Sequence, residues 1–169
     1  IVVADVFGKG IPASLVMASF RAGLLAEIRN NYSIGTIMAK VNRLIWESVE
    51  PERCVTACYG VLDARAKVLT YSNAGHFYPL ILRGGEALHL DRGGMILGVL
   101  PDTEYEEGRI DLESGDLLLF FTDGLTEAES PDGERFGEGR LIDIARSSIG
   151  LSCEDIVKRI HESISGFSD

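Results

Sequence analysis

Residues 54–123 constrain the fold more than any other part of this 169-residue chain. They hold four segments rich in residues that prefer β-strands, separated by turns with glycine or aspartate: CVTACYGVLD, KVLTYSNAGH, YPLILRGGEALHL and DLLLFFTD. A connection as short as RGGE cannot contain a crossover helix, so we expect these strands to pair antiparallel.

Helical patterns stand on both sides of this β-rich region. Apolar residues recur at three- and four-residue steps over residues 12–30 and again after Ser33, and helical patterns return over residues 141–148 and 152–165. Ser152, with Asp155 three positions later, has the form of an N-terminal capping box. The order of helices, strands and helices predicts an α+β layered sandwich rather than a doubly wound parallel sheet, in one domain over residues 1–169.

Charge and cysteine content exclude several classes of function. The chain has 26 acidic and 16 basic residues, a formal charge of -10, which argues against binding nucleic acid or an anionic membrane. Its three cysteines lack CxxC spacing and indicate a reducing compartment. No apolar run approaches the roughly 18 residues of a membrane span, so we expect a soluble, cytoplasmic protein. Because the chain opens without methionine, inside what reads as a strand, we also expect it to be a piece of a longer protein.

Two aspartates stand where apolar strands run out. Asp5 ends IVVAD, and Asp123 follows LLLFFT. An unpartnered buried carboxylate is costly, and a divalent ion such as Mg²⁺ or Mn²⁺ would offset that cost for both side chains. The competing interpretation is that each is an exposed turn residue, which is the commoner case for one such aspartate alone. Their shared position after an apolar strand favours a metal site.

Two glycine-containing segments carry less information. GKG at positions 8–10 lacks the GxxxxGK[ST] pattern, so it predicts a tight turn rather than nucleotide binding. In SNAGHFYP, Asn73 and Gly75 are typical of a structural turn. His76 either touches the functional site or caps the strand, and both interpretations stay open.

Four segments together resemble a known family: ADVFGKGIPASL, SNAGHFYPL, MILGVL and LLLFFTDGLTEA. In this order and at these separations they resemble the bacterial metal-dependent serine/threonine phosphatases of the PPM family, in the branch of stage II sporulation protein E and RsbU. The resemblance covers essentially the whole chain. It implies a four-layer αββα sandwich, with two antiparallel β-sheets flanked by helices and a binuclear Mn²⁺ or Mg²⁺ centre at one edge.

The same resemblance implies roles for individual residues. Asp5 matches the aspartate that bridges the two metals, and Val6 the position whose backbone carbonyl joins the coordination. Asp123 matches the aspartate of the TDG motif, so Asp5 and Asp123 are the catalytic candidates. The closing GFSD matches the start of an acidic pair, which makes Asp169 a further ligand. Family members also carry an acidic motif in a strand before IVVAD and a strand after the acidic pair, and neither is in this sequence.

The implied function is hydrolysis of phosphoserine or phosphothreonine on another protein by a metal-activated water. The implied substrate is a phosphorylated STAS-type anti-anti-sigma domain, in a pathway that controls a sigma factor or a related stress response. Whether a sensor domain is attached upstream stays open. One alternative is a regulatory or scaffolding module that keeps the fold but hydrolyses poorly. Another is a sensor that binds a small molecule through the helical face between Pro12 and Val49.

Overall fold

The computed structural model describes residues 1–31, 33–48 and 53–169. They form two compact units. The first comprises Ile1–Tyr78 and Leu90–Leu112, and the second comprises Pro79–His89 and Glu113–Asp169. The assignment of residues 1–169 to one domain stays a prediction. Val49, the end of the helical face considered as a sensor surface, lies outside the described residues.

The helices and strands follow the order that the sequence patterns predict. The chain begins with β1 (Val2–Val6), α1 (Gly10–Asn30), α2 (Ile34–Ser48), β2 (Val55–Asp63) and β3 (Val68–Ala74). There follow β4 (Leu80–Arg83), β5 (Glu86–His89), β6 (Gly93–Gly94), β7 (Gly108–Asp111) and β8 (Leu117–Leu119). The last three elements are α3 (Asp123–Thr126), α4 (Gly137–Ser147) and α5 (Cys153–Ser168).

The sheet of the first unit runs in the order β1-β2-β3-β6, with β7 also paired to β3. Helices α1 and α2 supply most of the hydrophobic core on one side of it, and Phe20 and Ile45 belong to the same core cluster as Val6 and Ala57. The alternation of a β-strand explains the arrangement, because alternate residues of β1 face the helices and the intervening ones face away. This pattern turns Ala4 and Val6 inward, and it leaves Asp5 on the opposite face.

One pairing departs from the antiparallel expectation. Strands β3 and β6 pair parallel over two residues, with Asn73 opposite Gly93. After β3 the chain forms β4 and β5 of the other sheet. It then returns as β6, which runs in the same direction as β3. A Cβ at Gly93 would lie 1.8 Å from the carbonyl oxygen of Asn73, so only glycine permits this close approach. In the sequence, β6 is only the pair Gly93–Gly94, and two glycines do not indicate whether a strand pairs parallel or antiparallel.

The expectation that no segment is long and apolar enough to span a membrane was wrong for helix α1. By length and composition alone, its 21 residues meet that test. However, Val16, Phe20 and Leu24 of α1 are buried in the core of the first unit. A core helix of this kind passes the same test, so the feature is weak evidence for a membrane span.

The second unit has a sheet in the order β5-β4-β8, and both pairings are antiparallel. Its core joins Leu80 of β4 to Leu141 of α4 and to Ile156 and Ile160 of α5. Helix α5 begins as its capping pattern predicts, because the N–H of Asp155 donates to Ser152 Oγ at 3.1 Å. Both helices extend beyond the predicted bounds: α4 begins at Gly137 and α5 continues to Ser168.

Candidate active site

Asp5 lies near the end of β1, opposite Thr56 of β2 in the antiparallel register. Its side chain is exposed, so the premise that this carboxylate is buried was wrong. Strand β1 ends at Val6, one residue after Asp5. The carboxylate is therefore accessible to an ion from solvent, on the sheet face opposite α1 and α2.

The backbone carbonyl of Val6 points to the open side of β1. The residues that flank β1 show that odd-numbered positions make the hydrogen bonds to the β2 segment. Ile1 and Gly60 exchange bonds of 2.8 and 3.0 Å, and Phe7 N–H donates to the Cys54 carbonyl at 3.0 Å. Because these bonds alternate in an antiparallel pair, the polar backbone groups of Val6 face away from β2. Within the described ranges, β1 has a strand neighbour on one side only. The Val6 carbonyl oxygen is therefore placed where it can coordinate a cation.

The turn after Asp5 needs glycine for its backbone conformation. Gly8 has φ +113° and Gly10 has φ +76°, both in the region that side chains disfavour. A Cβ at either position would meet nothing within 4 Å, so close packing is not the reason for glycine. This agrees with the structural interpretation of the GKG segment, which turns the chain from Asp5 into α1.

Asp123 is the first residue of the short helix α3, not the last residue of a strand. Strand β8 ends at Leu119, so it stops before the apolar run of the sequence does. The Asp123 side chain is half-buried, so its burial is less than the sequence predicted. Its carbonyl accepts a hydrogen bond of 2.7 Å from the N–H of Glu127, which closes the helical turn. The position still follows an apolar strand, through an extended Thr122.

Asp169 follows the last turn of α5 and is exposed. Its N–H donates to the carbonyl of Ser165 at 3.1 Å. Asp5 and Val6 belong to the first unit, and Asp123 and Asp169 belong to the second. In the part of the chain that the structure describes, no group of three or more His, Cys, Asp or Glu side chains is close enough to hold a metal ion. The predicted ligand set therefore stays a prediction.

The chemistry of these donors fits a hard divalent cation. Carboxylate and carbonyl oxygens are the ligands that Mg²⁺ and Mn²⁺ prefer, and Mg²⁺ commonly binds through one or two carboxylates together with water and substrate phosphate. Asp5 offers a solvent-accessible carboxylate, and Val6 a carbonyl at an open sheet edge. The predicted ligands include no cysteine thiolate and no histidine imidazole, which are the ligands typical of structural zinc sites.

His76 lies in the same unit as Asp5, and the sequence left its role open. It is buried, with 4% of its surface exposed, and its Nδ1 lies 2.9 Å from Thr56 Oγ1. Asn73 fixes the turn before it: Asn73 Oδ1 accepts from the His76 N–H at 2.7 Å, and Asn73 Nδ2 donates to the His76 carbonyl at 3.0 Å. The structural role predicted for Asn73 is thus observed.

Sequence reasoning missed Thr56. Its importance comes from the register that sets it opposite Asp5 and from its contact with His76. The alternating pattern of VTACY predicts a strand, but this pattern does not identify the neighbouring strand or the register. A weak signal was present in the shared β-character of IVVAD and VTACY, which are the two strands that pair.

A family model described as stage II sporulation protein E matches residues 1–169. The phosphoserine phosphatase RsbU of Bacillus subtilis (strain 168) is 29% identical over 174 residues, which cover 100% of this chain and 51% of the relative. The chain thus spans about half the length of this curated relative. These matches confirm the resemblance that the four sequence segments indicated.

Two solved structures share the fold. The RsbU and RsbW domains of Rv1364c from Mycobacterium tuberculosis give a TM-score of 0.79 at 26% identity, covering 98% of this chain and 47% of that one. The catalytic domain of the serine threonine protein phosphatase PstP, solved in complex with two manganese ions, gives a TM-score of 0.69 at 16% identity, covering 98% and 81%. The predicted fold class, α+β with antiparallel sheets flanked by helices, is confirmed.

Proposed function

The chain belongs to the stage II sporulation protein E family, and from this premise we propose that it is the catalytic part of a metal-dependent protein serine/threonine phosphatase. The observation that carries the proposal is the placement of Asp5. Its exposed carboxylate stands next to the outward carbonyl of Val6, at the end of an edge strand in a fold shared with protein phosphatases. The similarity to the phosphoserine phosphatase RsbU over the whole chain supports the same activity.

In this proposal Asp5, Val6, Asp123 and Asp169 supply oxygen ligands to a binuclear Mn²⁺ or Mg²⁺ centre. When bound, such a centre supplies Lewis acidity and lowers the pKa of a coordinated water, which makes water a competent nucleophile near neutral pH. The carboxylates orient that centre, and no side-chain nucleophile is assigned. The chain has a formal charge of -10 and would repel a phosphate dianion. In this proposal the cations that the carboxylates bind offset that repulsion at the site.

The substrate in this proposal is a phosphorylated regulatory protein with a STAS-type domain, in a pathway that controls a sigma factor. Its support is the family resemblance and the relatives: RsbU is a phosphoserine phosphatase, and the Rv1364c structure holds an RsbU domain together with an RsbW domain. A cytoplasmic location belongs to the same proposal. Binding of nucleic acid is not part of it.

The test measures Mn²⁺-dependent phosphate release from a phosphoserine peptide and from p-nitrophenyl phosphate. We expect Asp123→Asn and Asp5→Asn each to reduce turnover on the order of 100-fold or more, because even residues that merely support a metal ligand contribute about 10- to 100-fold. Asp132→Asn is the matched control, since Asp132 is exposed in the loop before α4. It should retain the activity of the unaltered protein.

The outcome also separates the proposal from its main alternative. Thermal unfolding of each variant, followed by circular dichroism, distinguishes loss of the site from loss of the fold. If the full-length protein folds, binds Mn²⁺ and releases no phosphate from either compound, the catalytic proposal is wrong. A regulatory or scaffolding module would then be the better description.

A further inference from the structure

We propose that Thr56 and His76 form a positioning pair for Asp5, which holds the end of β1 in the geometry needed to bind a divalent cation. This inference rests on the proposed function and deepens it, because it adds two residues to the support of the same site. Neither residue is proposed as a metal ligand. Their role is to restrict the positions that the Asp5 segment can adopt.

The register of the first sheet brings Thr56 next to Asp5. The two residues are direct partners in the antiparallel pairing of β1 and β2, and their side chains therefore lie on the same face of the sheet. By the alternation of the ladder they form a hydrogen-bonded pair, with Cα atoms roughly 5.5 Å apart. Thr56 Oγ1 also lies 3.5 Å from the Asp5 carbonyl oxygen, at the outer limit of a hydrogen bond.

The imidazole of His76 sets the orientation of the Thr56 hydroxyl. With His76 Nδ1 2.9 Å from Thr56 Oγ1, either tautomer of the ring makes a hydrogen bond, as acceptor or as donor. In both cases the bond favours one χ1 rotamer of Thr56. A threonine on a strand has few rotamers to begin with, so one such bond is enough to fix the hydroxyl beside Asp5.

The main chain of His76 is held independently of its ring. Asn73 bonds both the N–H and the carbonyl of His76, and Gly75 has φ +65° in a turn where a Cβ would lie 2.4 Å from Ile96 Cγ1. The conformation of the turn therefore does not depend on the contacts of the imidazole ring. The His76 ring contacts Thr56 on the neighbouring strand, the residue opposite Asp5, and a strand cap alone does not require this contact.

Supporting residues of this kind have a measurable effect on metal sites. A hydrogen-bonded partner behind a metal ligand fixes the orientation of the ligand, and its loss typically weakens metal binding about 10- to 100-fold. A positioning role predicts two consequences in protein that is still folded: weaker metal binding and a changed geometry of the ligand. These two consequences allow a positioning role to be separated from a purely structural one.

The test is Mn²⁺ binding, followed by the electron paramagnetic resonance signal of free Mn²⁺ and by calorimetry, in the absence of substrate. We expect Thr56→Val, which keeps the shape but removes the hydroxyl, to weaken Mn²⁺ binding by about 10-fold or more. Thr56→Ser should restore binding to within about 2-fold, since the hydroxyl returns. Thr70→Val is the matched control, because Thr70 lies on β3 of the same sheet but on the helix-facing side.

A second arm tests the pair itself. His76→Leu should weaken Mn²⁺ binding as much as Thr56→Val does, and the double variant should be no weaker than either single variant, because both changes break the same contact. Should Thr56→Val not fold, as judged by circular dichroism, His76→Leu and Thr56→Ser still make the comparison. Equal Mn²⁺ affinity in His76→Leu and the unaltered protein would overturn the proposal.

Asp5→Asn separates the two levels of inference. If Asp5→Asn abolishes Mn²⁺ binding while Thr56→Val and His76→Leu leave it within about 2-fold, the positioning pair is wrong and the proposed metal site stands. If Asp5→Asn leaves Mn²⁺ binding unchanged, or the unaltered protein binds none, the proposed metal site fails and the positioning pair fails with it.

Discussion

The side-chain oxygen of Asn42 accepts a hydrogen bond of 2.8 Å from the backbone N–H of Gly98, which joins α2 to the MILGVL segment. The amide group of Asn42 donates to the carbonyls of Leu100 and Pro101, at 2.7 and 3.1 Å. Asn42 is completely buried, and its side chain bonds three backbone groups, of which the Leu100 carbonyl also accepts from Thr103 Oγ1 at 3.1 Å. Gly98 is itself required, since a Cβ there would lie 2.7 Å from Ile45 Cγ2.

Replacement of Asn42 should destabilise the first unit. We expect Asn42→Leu to lower the free energy of unfolding by about 3 kcal/mol, because the buried N–H of Gly98 and the half-buried carbonyl of Pro101 each lose the hydrogen bond that Asn42 makes. Urea unfolding followed by circular dichroism measures the change. The control is Asn30→Ala, which removes only an exposed bond to the preceding turn of α1 and should change stability by less than about 0.5 kcal/mol. A loss below about 1 kcal/mol for Asn42→Leu would show that this clamp is dispensable.

The parallel pairing of β3 and β6 makes a prediction about Gly93. Gly93→Ala places a methyl group against the backbone of Asn73, which cannot move as a flexible side chain would. We expect a loss of about 3 kcal/mol, or separation of the short pair. Gly139→Ala is the matched control: Gly139 lies within α4, where a Cβ would meet nothing within 4 Å, so alanine should stabilise the helix by up to about 1 kcal/mol. Thermal unfolding of both variants checks the contrast.

Acid should weaken the second unit through Asp116. The Arg83 guanidinium donates two hydrogen bonds to its carboxylate, at 3.0 and 2.6 Å, and these bonds hold the pKa of Asp116 below its ordinary value. The Asp116 side chain is only 5% exposed, so solvent screens the pair weakly. Because the pKa is lower in the folded state, the pair contributes stability above the unfolded pKa of about 3.9 and loses it as pH falls through the folded pKa.

Asp116→Asn should therefore lower the free energy of unfolding by about 2 kcal/mol at neutral pH, the usual contribution of a hydrogen bond to a charged group. The difference from the unaltered protein should be the same at pH 7 and pH 5, and it should shrink below about pH 4. Urea unfolding at several pH values measures it. Asp143→Asn, which breaks an exposed pair with Arg146, should change stability by less than about 1 kcal/mol. A difference that is constant down to pH 3 would contradict the assignment.

The cysteines should differ sharply in reactivity. Burial raises the pKa of the Cys58 thiol to about 12, and Cys58 has no exposed surface, whereas Cys153 is exposed at the start of α5. Since the thiolate is the reactive form, a disulfide reagent at about pH 8 should label Cys153 quickly and leave Cys58 unlabelled in the folded protein. All three cysteines should react in denaturant. Peptide mapping identifies the labelled sites, Cys153→Ser should remove the fast phase, and rapid labelling of Cys58 would be inconsistent with its burial.

Local patterns predicted much of the fold. The start of α2 at Ile34 follows from Ser33, whose Oγ accepts the Thr36 N–H at 3.1 Å, and the start of α5 follows from the cap at Ser152. Such caps involve residues three positions apart, so the sequence contains both partners. The end of β8 was predicted less well. An apolar run predicts a strand, but it does not show where the ladder of hydrogen bonds stops. Strand β8 is only partly buried and ends at Leu119, and Asp123 opens a helix instead of closing a strand.

For this protein, the sequence alone determined the α+β class, the approximate positions of helices and strands, the family, and the aspartates proposed as ligands at positions 5, 123 and 169. Tertiary structure alone decided that Thr56 stands opposite Asp5, that the His76 ring reaches Thr56, and that β6 pairs parallel to β3. The physical reason is range. Periodicity and caps depend on residues within a few positions, whereas register joins distant segments and is set by the packing of the whole sheet.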